Sequence, residues 1–221
     1  MEEYLSERER WEELKTWLRS NGPSIVAGVA LAAVGVAGWR WWQAHSEEKA
    51  VAAATRYEQL MQAYEAGDRA KSVAIIDELR RNYSSSPYAD QAALMSARVH
   101  VDANELDAAA KSLQDVMDHS RDKQLQVVAR LRLARVQLAQ KKYDEALAAL
   151  SGAQPGAFAP RFEEVRGDVL LARGDKTAAL KAYQTAKAAV GSGVVDGDLL
   201  DLKINDLMTA STQTPAAAKV Q

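Results

Sequence analysis

Between Asn21 and Trp39 the chain runs NGPSIVAGVALAAVGVAGW, 19 residues without a charge, bracketed by Arg19 and Arg40. As a helix this run is about 28 Å long at 1.5 Å per residue, close to the roughly 30 Å hydrocarbon core of a bilayer. A buried helix of a soluble protein normally keeps a polar stripe, and none exists from Ile25 to Gly38. The segment therefore predicts one membrane span in contact with the lipid bilayer. Trp17 before the run and Trp39, Trp41 and Trp42 after it fall where indole rings prefer the headgroup level, and Arg40 can snorkel toward phosphates. These five residues are the expected interfacial anchors. Gly28, Ala32 and Gly35 place small side chains where a second membrane helix can approach closely.

The residues before the span are net acidic, and bulky WRWW stands where a signal peptidase needs small side chains, so the span reads as an uncleaved anchor. Arg8, Arg10, Lys15 and Arg19 precede it; Arg40, Lys49 and Arg56 follow within residues 40–60, a balance that leans only weakly to an N-terminus inside. In residues 1–20, Tyr4, Arg8, Trp11, Leu14 and Leu18 fall near helical spacing, as an amphipathic helix lying on a membrane surface would place them. Asn21-Gly22-Pro23 reads as a joint, with Gly past the end of that leader helix and Pro in the first turn of the span.

Beyond His45 the sequence is Ala-rich, charged and helical, and it repeats. Small residues stand twelve apart at Ala97/Ala109, Ala134/Ala146 and Gly167/Ala179, with a weaker pair at Leu60/Ser72, and the first members step by 37, 37 and 33 residues. That is close to the tetratricopeptide length of about 34. Two antiparallel helices approach to about 8–10 Å only where the contact side chains are small, which explains the residue types at the anchors. Gly67 and Gly174, each seven residues after an anchor, and Asn104-Glu105, Lys141-Lys142 and Gly174-Asp175 supply the turns. Ala153 and Ala186 occupy the next small position, where one repeat meets its successor. A coiled coil would need a sustained heptad, which is missing. The fold class is thus all-α, a single transmembrane helix followed by a tetratricopeptide-like α-solenoid.

In such a solenoid the first helix of each repeat lines a groove. The anchors place Tyr57, Met61 and Tyr64 there in the first repeat, then Leu94, Arg98 and Val101, then Leu131, Arg135 and Leu138, and finally Glu164, Asp168 and Leu171. This mixture of aromatic, aliphatic and charged groups suits a peptide or partner helix, though the Tyr and Leu side chains could equally cover a neighbouring helix. After a loop at 191–198, Leu199, Leu202, Ile204 and Leu207 are expected to close the end of the solenoid, with Asp198 capping their helix. From Thr209 the chain reads as a disordered tail.

Other chemistry is thinly represented. The 28 basic and 30 acidic residues give a net charge of -2, which argues against nucleic acid as a partner. No cysteine is present, and His45, His100 and His119 lack ligand spacing, so neither a metal nor another cofactor is expected. Arg166-Gly167-Asp168 matches an adhesion tripeptide by accident, since Gly167 is a repeat anchor. No paired carboxylate or Ser-His arrangement suggests an enzyme.

Several motifs carry a resemblance. The leader-to-span order through Asn21-Gly22, the Gly-Trp-Arg-aromatic-Trp run at 38–42, LRLARVQ at 131–137, RGD-x-L-L at 166–171 followed by GD at 174–175, and KIN at 203–205 resemble the YfgM family of ancillary SecYEG translocon subunits over residues 2–208. The resemblance implies an inner-membrane protein with a cytoplasmic leader (1–20), a span with its aromatic belt (21–44), a periplasmic repeat domain with a capping helix (45–208) and a tail (209–221). It implies partnership with the SecYEG translocon and the periplasmic chaperone PpiD, and a role in handing nascent secreted chains to periplasmic chaperones. It brings no catalytic or ligand residues. A homo-oligomeric structural membrane protein and a cell-envelope assembly adaptor are the alternative expectations for the same anchor and repeats.

Overall fold

The computed structural model describes residues 7–152, 154–188 and 195–212. The chain divides into two compact units, Met1–Ala52 and Ala53–Gln221, described here as the anchor segment and the repeat domain. The division falls at Ala53, the first fully buried side chain.

Helix α1 (Glu7–Glu65) is continuous through Pro23, so the expected joint at Asn21-Gly22-Pro23 does not form. Proline removes one backbone donor and crowds the preceding turn. The bond lost is the one to the Arg19 carbonyl, and the helix runs on past it; one turn earlier Ser20 Oγ and Asn21 Nδ2 both donate to the Trp17 carbonyl at 3.0 Å. The expected leader helix is thus the start of α1, and Tyr4 lies outside the described residues. Among the described residues α1 is the helix long and apolar enough to cross a membrane, and its apolar window has no buried residue. Val26, Val29, Leu31, Val34 and Val36 are all exposed, as a surface made for lipid requires.

The repeat domain begins with the end of α1 paired with α2 (Arg69–Asn82) through Leu60, Ala63, Ile75, Ile76 and Leu79. Three further hairpins follow: α3 (Pro87–Asp102) with α4 (Leu106–His119), α5 (Lys123–Ala139) with α6 (Tyr143–Ser151), and α7 (Ala159–Arg173) with α8 (Lys176–Lys187). Helix α9 (Gly197–Thr212) packs on α8, and no strand occurs among the described residues. The twelve-residue anchors meet at the crossings, where Leu60, Ser72, Ala97, Ala109, Ala134, Ala146, Gly167 and Ala179 are all buried. Ala186 is buried as well, while Ala153 lies outside the described residues.

Each hairpin turns through one left-handed residue placed seven after its anchor. These are Gly67 (φ 72°), Asn104 (φ 58°), Lys141 (φ 61°) and Gly174 (φ 97°). The amide that follows reaches back five residues to the preceding helix, Asp68 to Ala63, Glu105 to His100, Lys142 to Gln137 and Asp175 to Leu170. This Schellman arrangement satisfies carbonyls that the helix end would otherwise leave open. In the first and last hairpins the next residue then caps the second helix, Asp68 accepting from the Lys71 amide and Asp175 from the Ala178 amide, each at 3.0 Å.

The end of the domain is closed as expected, but by a different face of α9. Leu200, Ile204 and Leu207 are buried with Val195, whereas Leu199 and Leu202 are exposed. Leu200, Ile204 and Leu207 form one i, i+4, i+7 stripe, off which Leu199 and Leu202 fall. Asp196, not Asp198, is the cap, accepting from the amides of Asp198 (3.0 Å) and Leu199 (3.2 Å). The helix also continues to Thr212, into the stretch expected to be tail, and residues 213–221 lie outside the described residues.

Candidate partner-binding face

The first helices lie side by side, α3 against α5 and α5 against α7. Over the first three repeats their common face carries tyrosines and arginines. Tyr64 Oη donates to Asp102 at 2.6 Å and accepts from Arg98 Nε at 2.7 Å, while the Arg98 guanidinium lies 5.2 Å from the centre of the Tyr64 ring. The hydrogen bond to Asp102, followed by burial, raises the Tyr64 phenol above its ordinary range. Burial raises that of Tyr57 too, against the opposing pull of the neighbouring Arg132, and the Tyr57 ring packs 5.5 Å from that of Tyr88. Arg132 is held below the usual guanidinium range by burial and by the like charges of Arg98 and Arg135.

Of the twelve groove residues expected from the repeat register, Arg98, Val101 and Arg135 are exposed. Tyr57, Met61, Tyr64, Leu138, Asp168 and Leu171 are half-buried. Leu94, Leu131 and Glu164 are buried, the two leucines inside the cores of their own and neighbouring repeats. The structure gathers Leu94, Arg98, Val101 and Arg135 around one cavity between α3, α4 and α5. The register missed Arg132, which lines the same cavity. Its counterparts two residues before the anchors, Met95 and Val165, are core, so the repeat pattern marked the position as buried. The available signal was its place three residues before Arg135, which puts both guanidiniums on one face of α5.

The fourth repeat is different. Its first-helix face is covered by α9, whose Lys203 Nζ donates to Asp168 (2.7 Å) and Glu164 (3.2 Å). Arg161 donates to the other oxygen of Glu164 at 2.6 Å, and the Tyr183 hydroxyl donates to Asp168 at 2.8 Å. Buried and bound to a carboxylate, the Tyr183 phenol is pushed far above its normal range. Gly167 and Asp168 of the RGD tripeptide are thereby committed to packing and to this network.

In the anchor segment, a Cβ at Gly28 or Gly35 would meet nothing within 4 Å, so the small-residue positions, with Ala32, are open to a neighbour. Trp17, Trp39, Arg40, Trp41 and Trp42 are exposed. The Trp39 and Trp42 rings are 5.5 Å apart, and Trp41 stacks on His45.

Comparison with known proteins covers both parts. The profile of a tetratricopeptide repeat-like domain family matches residues 15–209. An ancillary SecYEG translocon subunit of Escherichia coli (strain K12) is 32% identical over 94% of this chain and 99% of its own length. That of Neisseria gonorrhoeae is 32% identical over 94% of this chain and all of its own length, and that of Haemophilus influenzae 29% identical over 92% and 98%. Among solved structures, a fragment of MamA from Desulfovibrio magneticus superposes with a TM-score of 0.53 at 14% identity, over 74% of this chain and 97% of that one. That likeness concerns the fold alone.

Proposed function

The chain belongs to the family of ancillary SecYEG translocon subunits, and on that premise we propose that it is a single-pass inner-membrane scaffold beside the translocon. In this reading residues 1–20 are cytoplasmic, residues 21–44 are the span and its aromatic belt, and the repeat domain stands in the periplasm. There the domain receives partners or emerging chains and links them to periplasmic chaperones such as PpiD. The observation that carries the reading is the join within one chain of an apolar helix with no buried residue in its window and a repeat face whose arginines remain exposed. The first is a surface for lipid or a membrane partner, the second for a soluble one.

Photocrosslinkers at Tyr57, Arg98 and Arg135 in native membranes test the soluble face. Capture of a translocon-associated chaperone or a nascent chain is expected; labelling of lipid alone overturns that contact. The same probes at Gly28, Ala32 and Gly35 are expected to reach a channel or chaperone helix. Protease added to spheroplasts should digest the repeat domain, and its protection would reverse the orientation. A homo-oligomer purified without channel subunits would favour a purely structural role.

A further inference from the structure

We propose that the cleft between the second and third repeats is a docking site for an acidic peptide segment that inserts one apolar side chain between Arg98, Arg132 and Arg135. The cleft is a cavity of about 370 Å³ walled by residues such as Leu94, Val101 and Leu106, with the three arginines at its rim. Such a volume is in the range of pockets that take a single small ligand or side chain. The apolar wall is reachable from solvent, since Val101 is 42% exposed.

Charge selects the occupant. Among the described residues none of the three guanidiniums is in an ion pair, although residues 45–221 hold 23 basic and 24 acidic residues and could have supplied partners. Their neighbouring carboxylate, Asp102, is already bound by the Tyr64 hydroxyl. The mutual repulsion felt by Arg132 is relieved when a carboxylate arrives. Arginine also forms paired hydrogen bonds with a carboxylate, which fixes orientation as well as charge. A basic segment meets like charge here, and a purely apolar one leaves the three cations uncompensated. This inference rests on the reading of the repeat domain as a partner-binding module and specifies what its open face recognises.

The test uses the full-length protein in detergent and a fluorescein-labelled peptide of glutamate and glycine carrying one leucine, followed by fluorescence anisotropy with empty micelles as the blank. Saturable binding is expected, weakened by salt. It should fall about tenfold or more in the combined Arg98→Gln, Arg132→Gln, Arg135→Gln protein, and about tenfold when serine replaces the leucine. Val101→Trp, which fills the mouth of the cavity while keeping every arginine, should also block binding and serves if the triple variant does not fold. Equal binding by both protein variants, equal binding of a lysine-for-glutamate peptide, or binding only to phosphatidylglycerol vesicles would each overturn the proposal. Crosslinking to a translocon partner that persists without any peptide affinity would remove this site and leave the scaffold role standing; peptide affinity without such crosslinks would do the reverse.

Discussion

The two ends of the first-helix face are built from equivalent repeat positions and have opposite fates. Arg98 and Arg135, each one residue after an anchor, lie open beside Arg132, with no carboxylate paired to them among the described residues. Asp168, at the same position in the fourth repeat, is bound by Lys203 and Tyr183 under α9. A charge at a given repeat position is therefore neither structural nor functional by virtue of the position. What decides is whether another element arrives to neutralise it. At the closed end one helix both covers apolar surface and supplies a cation, whereas at the open end no described element does either for the three arginines.

The closed end also packs differently, and this gives the sharpest test of the comparison. Sixteen residues after each anchor stands a buried partner: Ile76 for Leu60, Leu113 for Ala97, Leu150 for Ala134 and Tyr183 for Gly167. The largest partner thus faces the smallest anchor, and a Cβ on Gly167 would sit 2.4 Å from Tyr183 Cε1. Gly→Ala inside a helix ordinarily gains about 0.5–1 kcal/mol. Gly167→Ala should instead lose about 2 kcal/mol in denaturant unfolding of the full chain, because the ring is buried and its hydroxyl is held by Asp168. Adding Tyr183→Leu, which copies the pairing of the second and third repeats, should return part of that loss. A stabilised Gly167→Ala protein would break the argument.

Next in size is the cation that α9 supplies. Lys203→Met leaves Glu164 with Arg161 alone and Asp168 with the Tyr183 hydroxyl alone, at a site where Glu164 is buried. Breaking a buried charge pair from one side is costly, and a loss of about 2 kcal/mol is expected, with α9 amides gaining hydrogen-exchange rate before the rest. Arg135→Met on the open face, an exposed side chain, should stay within about 0.5 kcal/mol of wild type. Similar losses in the two proteins would erase the distinction between a structural and an available charge.

Much of this was legible in the sequence because it rests on local chemistry repeated at a fixed interval. The crossings, turns and fourfold hairpin order follow from small residues at Ala97, Ala109, Ala134, Ala146, Gly167 and Ala179. The uncharged run likewise announced its own exposed helix. What escaped depended on long-range pairing or on one-residue register. Glu164 and Asp168 looked like groove residues because nothing near them in sequence reveals that Lys203, 35 residues beyond Asp168, covers them. Arg132 escaped because its register position is core in two other repeats. The joint at Pro23 failed because proline costs a helix one backbone hydrogen bond, which a long helix can forgo, and turn residues alone do not disclose that the helix runs on.

A smaller effect separates the turns of the repeats. Gly174 at the closed end adopts φ 97° without a side-chain penalty, but Lys141 holds a similar left-handed conformation with a Cβ attached. Lys141→Gly should stabilise the protein by up to about 1 kcal/mol, the relief of backbone strain exceeding the added freedom of the unfolded chain. Asn104→Gly should gain less, since asparagine tolerates this region better. The measurement is the unfolding midpoint in urea at unchanged slope, and a destabilised Lys141→Gly protein would show that its side chain contributes more than its turn costs.

The smallest expected effect is one of pH, and it also probes the open end. Glu105, exposed beside the second turn, accepts from Arg69 of α2 and from His100 at 2.7 Å, and the bonds to Arg69 and then His100 hold its carboxyl below the ordinary glutamate range. A carboxyl with a lowered folded-state pKa binds fewer protons folded than unfolded. Its contribution is therefore present above the unfolded value of about 4.3 and disappears as pH falls through the folded one. Thermal midpoints measured from neutral pH down to about pH 3 should converge for wild type and Glu105→Gln at the acid end and separate slightly at neutrality, with wild type the more stable. High salt should shrink the separation, because both partners lie at the surface. A separation that instead widened as pH fell would mean that the pairing of α2 with the second hairpin does not depend on this carboxylate being charged.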